Sequence, residues 1–253
     1  MNERAKRILA PIVLLVALLS IWELAVRVAH VPGYILPPPS RIVATFVVRL
    51  PLLWSHTVIT LAEIVFGLLL GSAGGFLLAA AIVYVPVLEW ALHPVIIASQ
   101  MVPVFAIAPL LIVWLGYGLL PKVVVAALIG FFPIVINGVD GLRAANEETV
   151  ELFRSLGASR WQVFAKLRFP GSLPALFSGW KVGATLSVVG ATIGEWIGAT
   201  RGLGFLMLQS NALLRVDVVF AAILALTLIG LLLFGVIRII EWWVLRWRRS
   251  FAA

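Results

Sequence analysis

The sequence predicts an all-α, polytopic membrane protein with about six transmembrane helices, and three observations carry that prediction. Hydrophobic residues fill 62% of its 253 positions against 12% for charged ones, with a mean hydropathy of +1.12. Soluble domains lie nearer half apolar. The apolar residues gather into runs close to the ~20 that a helix needs to cross a hydrocarbon core. Lys and Arg gather at the ends of those runs, so the net charge of +8 reads as a topology signal and not as a nucleic-acid surface. The absence of cysteine excludes disulfides and thiolate metal sites, and His30, His56 and His93 show no ligand spacing, so no metal and no cofactor are expected.

The six runs cover residues 8–28, 58–83, 95–115, 123–136, 176–197 and 218–240. The first starts after Arg4, Lys6 and Arg7 like a secretory signal, but no small-x-small site follows and the apolar stretch continues past Glu23, so a retained span is expected. Pro37, Pro38 and Pro39 then prohibit helix and favour an extended outer connection, followed by a short surface helix over residues 45–53. In the second run Gly67, Gly71, Gly74 and Gly75 give small-xxx-small spacing twice, the pattern of closely packed helices. In the third, Gln100, Pro103 and Pro109 interrupt ASQMVPVFAIAPLL and free carbonyls that lipid cannot satisfy, so this stretch should face protein or a water-lined path. Gln100 and Pro103 are therefore candidates for a translocation path, an interhelical hydrogen bond being the other reading of Gln100.

Ionisable residues inside spans are expensive and are functional suspects: Glu23, Glu63, Lys181 and Glu195. Lys181 lies near enough to an inner end to snorkel. Glu195 joins the path candidates, a satisfied structural hydrogen bond being the alternative for each carboxylate. The segment GEWIGATRGLGFL, residues 194–206, predicts an irregular outer turn or gate, and with no strand before it this is not a phosphate loop. Twelve basic residues flank one set of span ends against six on the other, Lys122 among the six, which puts both termini in the cytoplasm. Trp242, Trp243 and Trp247 among the C-terminal arginines read as an interfacial anchor.

One polar stretch, NEETVELFRSLGASRWQVFAKLRFP from Asn146 to Pro170, is long enough to meet another protein. Asn146 is a suitable N-cap, and Glu147, Glu148 and Glu151 suit the positive end of the helix that follows. Val150, Phe153 and Leu156 form an apolar stripe that needs a covering surface, the membrane or a partner. Gly157 suits a left-handed helix end, and Ser159 with Gln162 makes a capping box for a second helix. That helix should stop by Phe169, because proline disfavours helical geometry in its predecessor.

Glu151, Gly157 six residues on, and Leu167 and Phe169 leading into Pro170 resemble the EAA loop of bacterial ABC importer permeases. Leu152 and Phe153 depart from it, standing where that family usually has two alanines. From about residue 36 to residue 246, LPPPSRI, ASQMVPVFAIAPLLIVWLGYG, FFPIVINGVDGLR, RSLGASRWQVFAKLRFPGSLPALFSGWKVG and GEWIGATRGLGFLMLQSN are similar to the nitrate, sulfonate and taurine branch of these permeases. The resemblance implies a type I ABC importer permease fold in a single domain, with a core over about 55–245, a first span and outer linker over 8–54, and a cytoplasmic coupling loop over 140–170. It implies ATPase coupling through Glu151, Phe153, Arg154, Gly157, Ala158, Ser159, Trp161 and Pro170. The partners implied are a second copy of the chain, two copies of an ABC ATPase, an extracytoplasmic solute-binding protein and the lipid of a bacterial inner membrane. No Walker lysine is present, so the fuel site is expected on the ATPase and the chain is not an enzyme.

The substrate reading is narrower in its support. ASQMVPVFAIAPL and IGEWIGATRGLGFLMLQSNA are more similar to pyrimidine and thiamine-precursor members, which implies a small organic solute of that kind or a riboflavin-like one. A sulfonate, taurine or nitrate importer is the alternative, although the spans hold no arginine beyond Arg27 and Arg238 near their ends. An ion-coupled secondary transporter would need an acid and base chain that the sequence lacks, and a membrane enzyme would need a cluster of His, Asp or Glu.

Overall fold

A computed structural model describes residues 3–246, with side chains from Leu9 onward except those of Pro86, Glu89, His93, Ile97 and Gln100. Its regular elements are α1 (Glu3–Val28), α2 (Pro39–Val48), α3 (Leu50–Tyr84), α4 (Pro86–Gln100), α5 (Val104–Leu115) and α6 (Leu119–Arg143). There follow α7 (Glu147–Ser155), α8 (Arg160–Val163), a π-turn (Phe164–Arg168), α9 (Phe169–Gly198), α10 (Leu203–Ala212) and α11 (Val216–Val244). Among the described residues every regular element is helical, as the composition predicts.

Among the described residues, five helical stretches are long and apolar enough to cross a membrane: Leu9–Val28, Leu50–Tyr84, Leu119–Arg143, Arg160–Gly198 and Val216–Val244. The third expected span is divided. Pro103 has no N–H and crowds the residue before it, so the chain leaves α-geometry after Gln100 and re-enters it only at Val104. Met101 and Val102 close the end of α4 by bonding to Ala98 O and Ser99 O at 3.1 and 3.2 Å. α5, at 12 residues, is about 18 Å long and too short to span a bilayer alone. The surface helix expected over 45–53 instead begins at Pro39, because proline is favoured at the first helical position, where its missing N–H has no partner to lose.

α6 lies between α3 and α9 and is the axis of the bundle. Small residues let the three approach. A Cβ on Gly71 would sit 2.9 Å from Ala127 O, one on Gly75 3.0 Å from Ile134, and on the other flank one on Gly190 2.7 Å from Ala126 Cα. The packing reading of the glycine row is thus the one the structure supports. α11 and α10 cover the outer flank of α9, burying Leu203, Leu206, Ala221, Ala222 and Leu226 against Ile64 and Ala191. α1 stands apart. It is exposed along most of its length and meets the rest through Trp22, whose ring centroid is 5.6 Å from Phe220, and through Glu23, which accepts from Ser40 N at 3.0 Å and Ser40 Oγ at 2.7 Å. Glu23 therefore caps the first turn of α2, the structural role available to it as a carboxylate at a span end.

Candidate functional site

The stretch from Asn146 to Pro170 folds as an elbow whose local bonds follow its residues. Asn146 Oδ1 accepts from Glu148 N at 2.9 Å and starts α7. α7 ends in a Schellman arrangement, with Gly157 N donating to Arg154 O and Ala158 N to Phe153 O, both at 2.9 Å. Gly157 has φ +79°, and no atom lies within 4 Å of where its Cβ would be. Conformation, not space, requires glycine there. The capping box is complete, Ser159 N donating to Gln162 Oε1 at 2.7 Å and Gln162 N to Ser159 Oγ at 3.3 Å.

The second helix does not stop by Phe169. It passes through the π-turn and continues as α9, so that residues from Arg160 to Gly198 form one helical rod. The π-turn makes this possible: Phe169 N reaches back five residues to Phe164 O, and Pro170 falls in the first turn of α9, where a missing donor is tolerated.

The predicted apolar stripe splits in two. Val150 is buried at 4% and, with Val163 at 5%, seats the elbow on its own chain, whereas Leu156 is 78% exposed and Trp161 71% exposed. Glu151 and Arg154 are also exposed. Behind them, Phe164 joins Trp161 at 5.4 Å, Tyr84 at 5.5 Å and Phe169 at 6.0 Å, and Phe169 meets Phe76 at 5.6 Å. Each such pair contributes about 0.5–1.5 kcal/mol beyond its buried area. Phe164 is thus the hub that fixes the elbow to the end of α3. Sequence spacing placed it on the second helix but gave no sign of its partner Tyr84, 80 positions earlier in the chain.

A second cluster lies inside the bundle. The loop after α9 folds back so that the first four N–H groups of α10 meet side chains of α3 and α9. Gly202 N donates to His56 Nδ1 at 3.0 Å and Leu203 N to Thr60 Oγ1 at 2.8 Å. Gly204 N, in a short bond, and Phe205 N, at 3.4 Å, both donate to Glu195 Oε2. Thr60 Oγ1 in turn donates to Glu195 Oε1 at 2.6 Å. A helix start has four donors without internal partners, and inside a membrane each must find one. Here all four do.

Beside this cap, Lys122 Nζ is 2.9 Å from Glu63 Oε1, while Glu63 Oε2 has no hydrogen-bond partner among the described residues. The carboxyl groups of Glu63 and Glu195 are neighbours, and Thr60, Glu63 and Glu195 are fully buried. Lys122, expected as an outer-loop charge, is instead a buried ion-pair partner in the first turns of α6. Lys181 does not snorkel alone but pairs with Glu241 of α11 at 2.9 Å.

The three path candidates are not brought together. Gln100 ends α4, and its side chain lies outside the described residues. Pro103 is the exposed N-cap of α5 at the break. Glu195 finds its hydrogen-bond partners on α3 and at the start of α10.

The family model for the binding-protein-dependent transport system inner membrane component matches residues 63–246. The chain belongs to that family. Among curated relatives, this permease is 38% identical to the formylaminopyrimidine transport permease protein ThiX of Halalkalibacterium halodurans, over 98% of its own length and 99% of that protein's. It is also 38% identical to the riboflavin transport system permease protein RibX of Chloroflexus aurantiacus, over 94% and 90%. Among solved structures, a chain of the inward-facing MetNI methionine ABC transporter superposes with a TM-score of 0.62 at 21% identity, over 76% of this permease and 94% of that chain. The fold is accordingly that of a type I ABC importer permease. The family match begins at Glu63, so α1, α2 and the first turns of α3 precede it.

Proposed function

We propose that this ABC importer permease carries a small organic solute of pyrimidine, thiamine-precursor or riboflavin type across a bacterial inner membrane, as two copies of the chain served by two ATPase subunits and an external binding protein. The observation that carries the coupling half of this reading is the elbow. Leu156 and Trp161 are presented to solvent from a seat that is locked to α3, at the head of a rod running unbroken to Gly198. A partner that grips Glu151, Phe153, Arg154, Ala158, Ser159 and Trp161 about the Gly157 bend moves that rod as a rigid body, the kind of rocking that alternating access uses. Pro170 serves by following the π-turn that keeps the rod whole. Gln100 and Pro103 fall to the translocation path, and Glu195 acts on that path at one remove, by holding the start of α10 in place. The substrate half is supported by the near full-length likeness to ThiX and RibX.

The test is reconstitution with the ATPase and binding protein. Gly157→Trp and Glu151→Lys should insert normally yet hydrolyse ATP without uptake. Unchanged uptake in both variants counts against the coupling assignment, and ion-gradient-driven uptake by the chain alone would establish the secondary-carrier reading instead.

A further inference from the structure

We infer that the solute has its own seat in the permease, a cavity beside the α4–α5 break in which Asn137, Ser99 and Phe132 select an uncharged, flat heterocycle. The inference rests on the importer reading above and adds to it the residues that touch the solute and the charge class they accept. Backbone that leaves helical geometry at membrane depth is tolerated where it borders protein or a water-filled cavity. Such a cavity is present. A space of about 510 Å³ beside the elbow is lined by aromatic and aliphatic side chains with Arg160, a residue of the elbow itself, but the one at the break, about 400 Å³, is lined by Ser99 of α4, by Ile129, Phe132, Pro133 and Asn137 of α6, and by Leu186 of α9. Its size falls within the usual range for small-ligand sites, roughly 300–1,000 Å³.

The polar groups in it are held, not merely present. Pro133 interrupts the hydrogen-bond ladder of α6, and Asn137 Nδ2 donates to Pro133 O at 2.8 Å, which fixes the plane of the amide. Asn137 Oδ1 and the second amide N–H bind nothing else among the described residues. An amide offering one acceptor and one donor side by side pairs with an amino group next to a ring nitrogen, the pairing an asparagine makes with an adenine edge. Ser99 Oγ donates to Ile96 O at 2.8 Å, which leaves its lone pairs to accept. Phe132 supplies an aromatic face on the same wall. Among the described residues that line the cavity, none is ionisable. A sulfonate or nitrate would lose its water there with no counter-charge, whereas a neutral heterocycle would not.

The natural chain has no cysteine, so single cysteines report directly. In proteoliposomes holding the permease, its ATPase and its binding protein, Ser99→Cys and Asn137→Cys should react with a membrane-impermeant thiol reagent at least roughly tenfold faster than Val13→Cys on the exposed flank of α1, since only a wetted thiol ionises. Formylaminopyrimidine with ATP should slow that labelling, and taurine should not. Asn137→Leu should keep ATP hydrolysis stimulated by the loaded binding protein while uptake falls roughly tenfold, the loss of one bidentate amide contact. Cysteines as inert as Val13→Cys, full uptake by Asn137→Leu, or protection by taurine in place of the pyrimidine would each overturn the inference. Failure of the importer reading is separate and shows in the unsubstituted permease as no ATP-driven uptake, whatever the cysteines report.

Discussion

At Glu195 two carboxylate oxygens serve a hydroxyl from α3 and two backbone donors from α10, all away from solvent. Glu195→Leu leaves those donors bare and should lower stability in detergent micelles by about 3 kcal/mol, because unmade buried bonds to a charged group are the costly kind. Glu195→Gln keeps an acceptor and should lose less. Equal losses in chemical denaturation would mean that the cap contributes little. Lys122→Met strips Glu63 of its partner next to a second carboxyl group and should cost about 3–5 kcal/mol. Adding Glu63→Leu should recover most of that, and a double variant whose loss is the sum of the single ones would show the pair to be unconnected. These contacts were hidden from the sequence for a plain reason. The capping box of Ser159 and Gln162 spans three positions and is written locally, but Thr60 and Glu195 are 135 apart, and only the packed bundle makes them neighbours.

At the scale of elements, proline breaks the backbone at one of the two places where the sequence predicts an interruption: Pro109 lies inside α5, which continues through it to Leu115. Pro103 divides the third expected span, yet Pro39 and Pro170 each fall in a first turn, where no bond is lost. The π-turn carries a specific prediction. Deleting the exposed Ala165 removes the residue that the π-turn absorbs and leaves Pro170 in a ladder with no slack for its missing N–H, so the rod should kink there and re-aim α8 relative to α9. Trp161 would then face away from its present direction, and ATP-driven uptake should be lost while membrane insertion persists. Uptake that survives the deletion would show that the direction of the elbow does not matter. α1 gives the opposite expectation. Glu23→Ala removes two of the three bonds from α1 to Ser40, leaving Arg27 Nη2 to Ser40 Oγ at 3.3 Å, on a helix that otherwise meets little of the bundle, so the unfolding free energy of the rest should shift by less than about 1 kcal/mol while protease sensitivity of the linker rises. A larger shift would make α1 part of the core.

For the whole molecule, the glycine row of α3 and the apolar surface outside it were legible from composition and spacing, whereas the glycines of α9 that meet α6, such as Gly190, were not. The lengths of the spans were not, because α3 and α6 run on well past their apolar windows. The charge asymmetry predicts Arg154 and Arg201 on opposite sides of the membrane. Single cysteines at those positions, probed from each side of oriented vesicles, should label from opposite faces, and labelling of both from the same face would overturn the prediction. The cap on α10 also bears on how such a chain is made. His56 and Thr60 are synthesised 146 and 143 residues before the backbone groups they will hold, so they enter the bilayer early, the His56 ring nitrogen without its partner and Thr60 Oγ1 bonded only to His56 O within α3. Until Gly202 and the residues after it have left the ribosome, the nascent protein carries an unfinished polar surface, a chemical mark that would set a stalled or truncated product apart from a completed one.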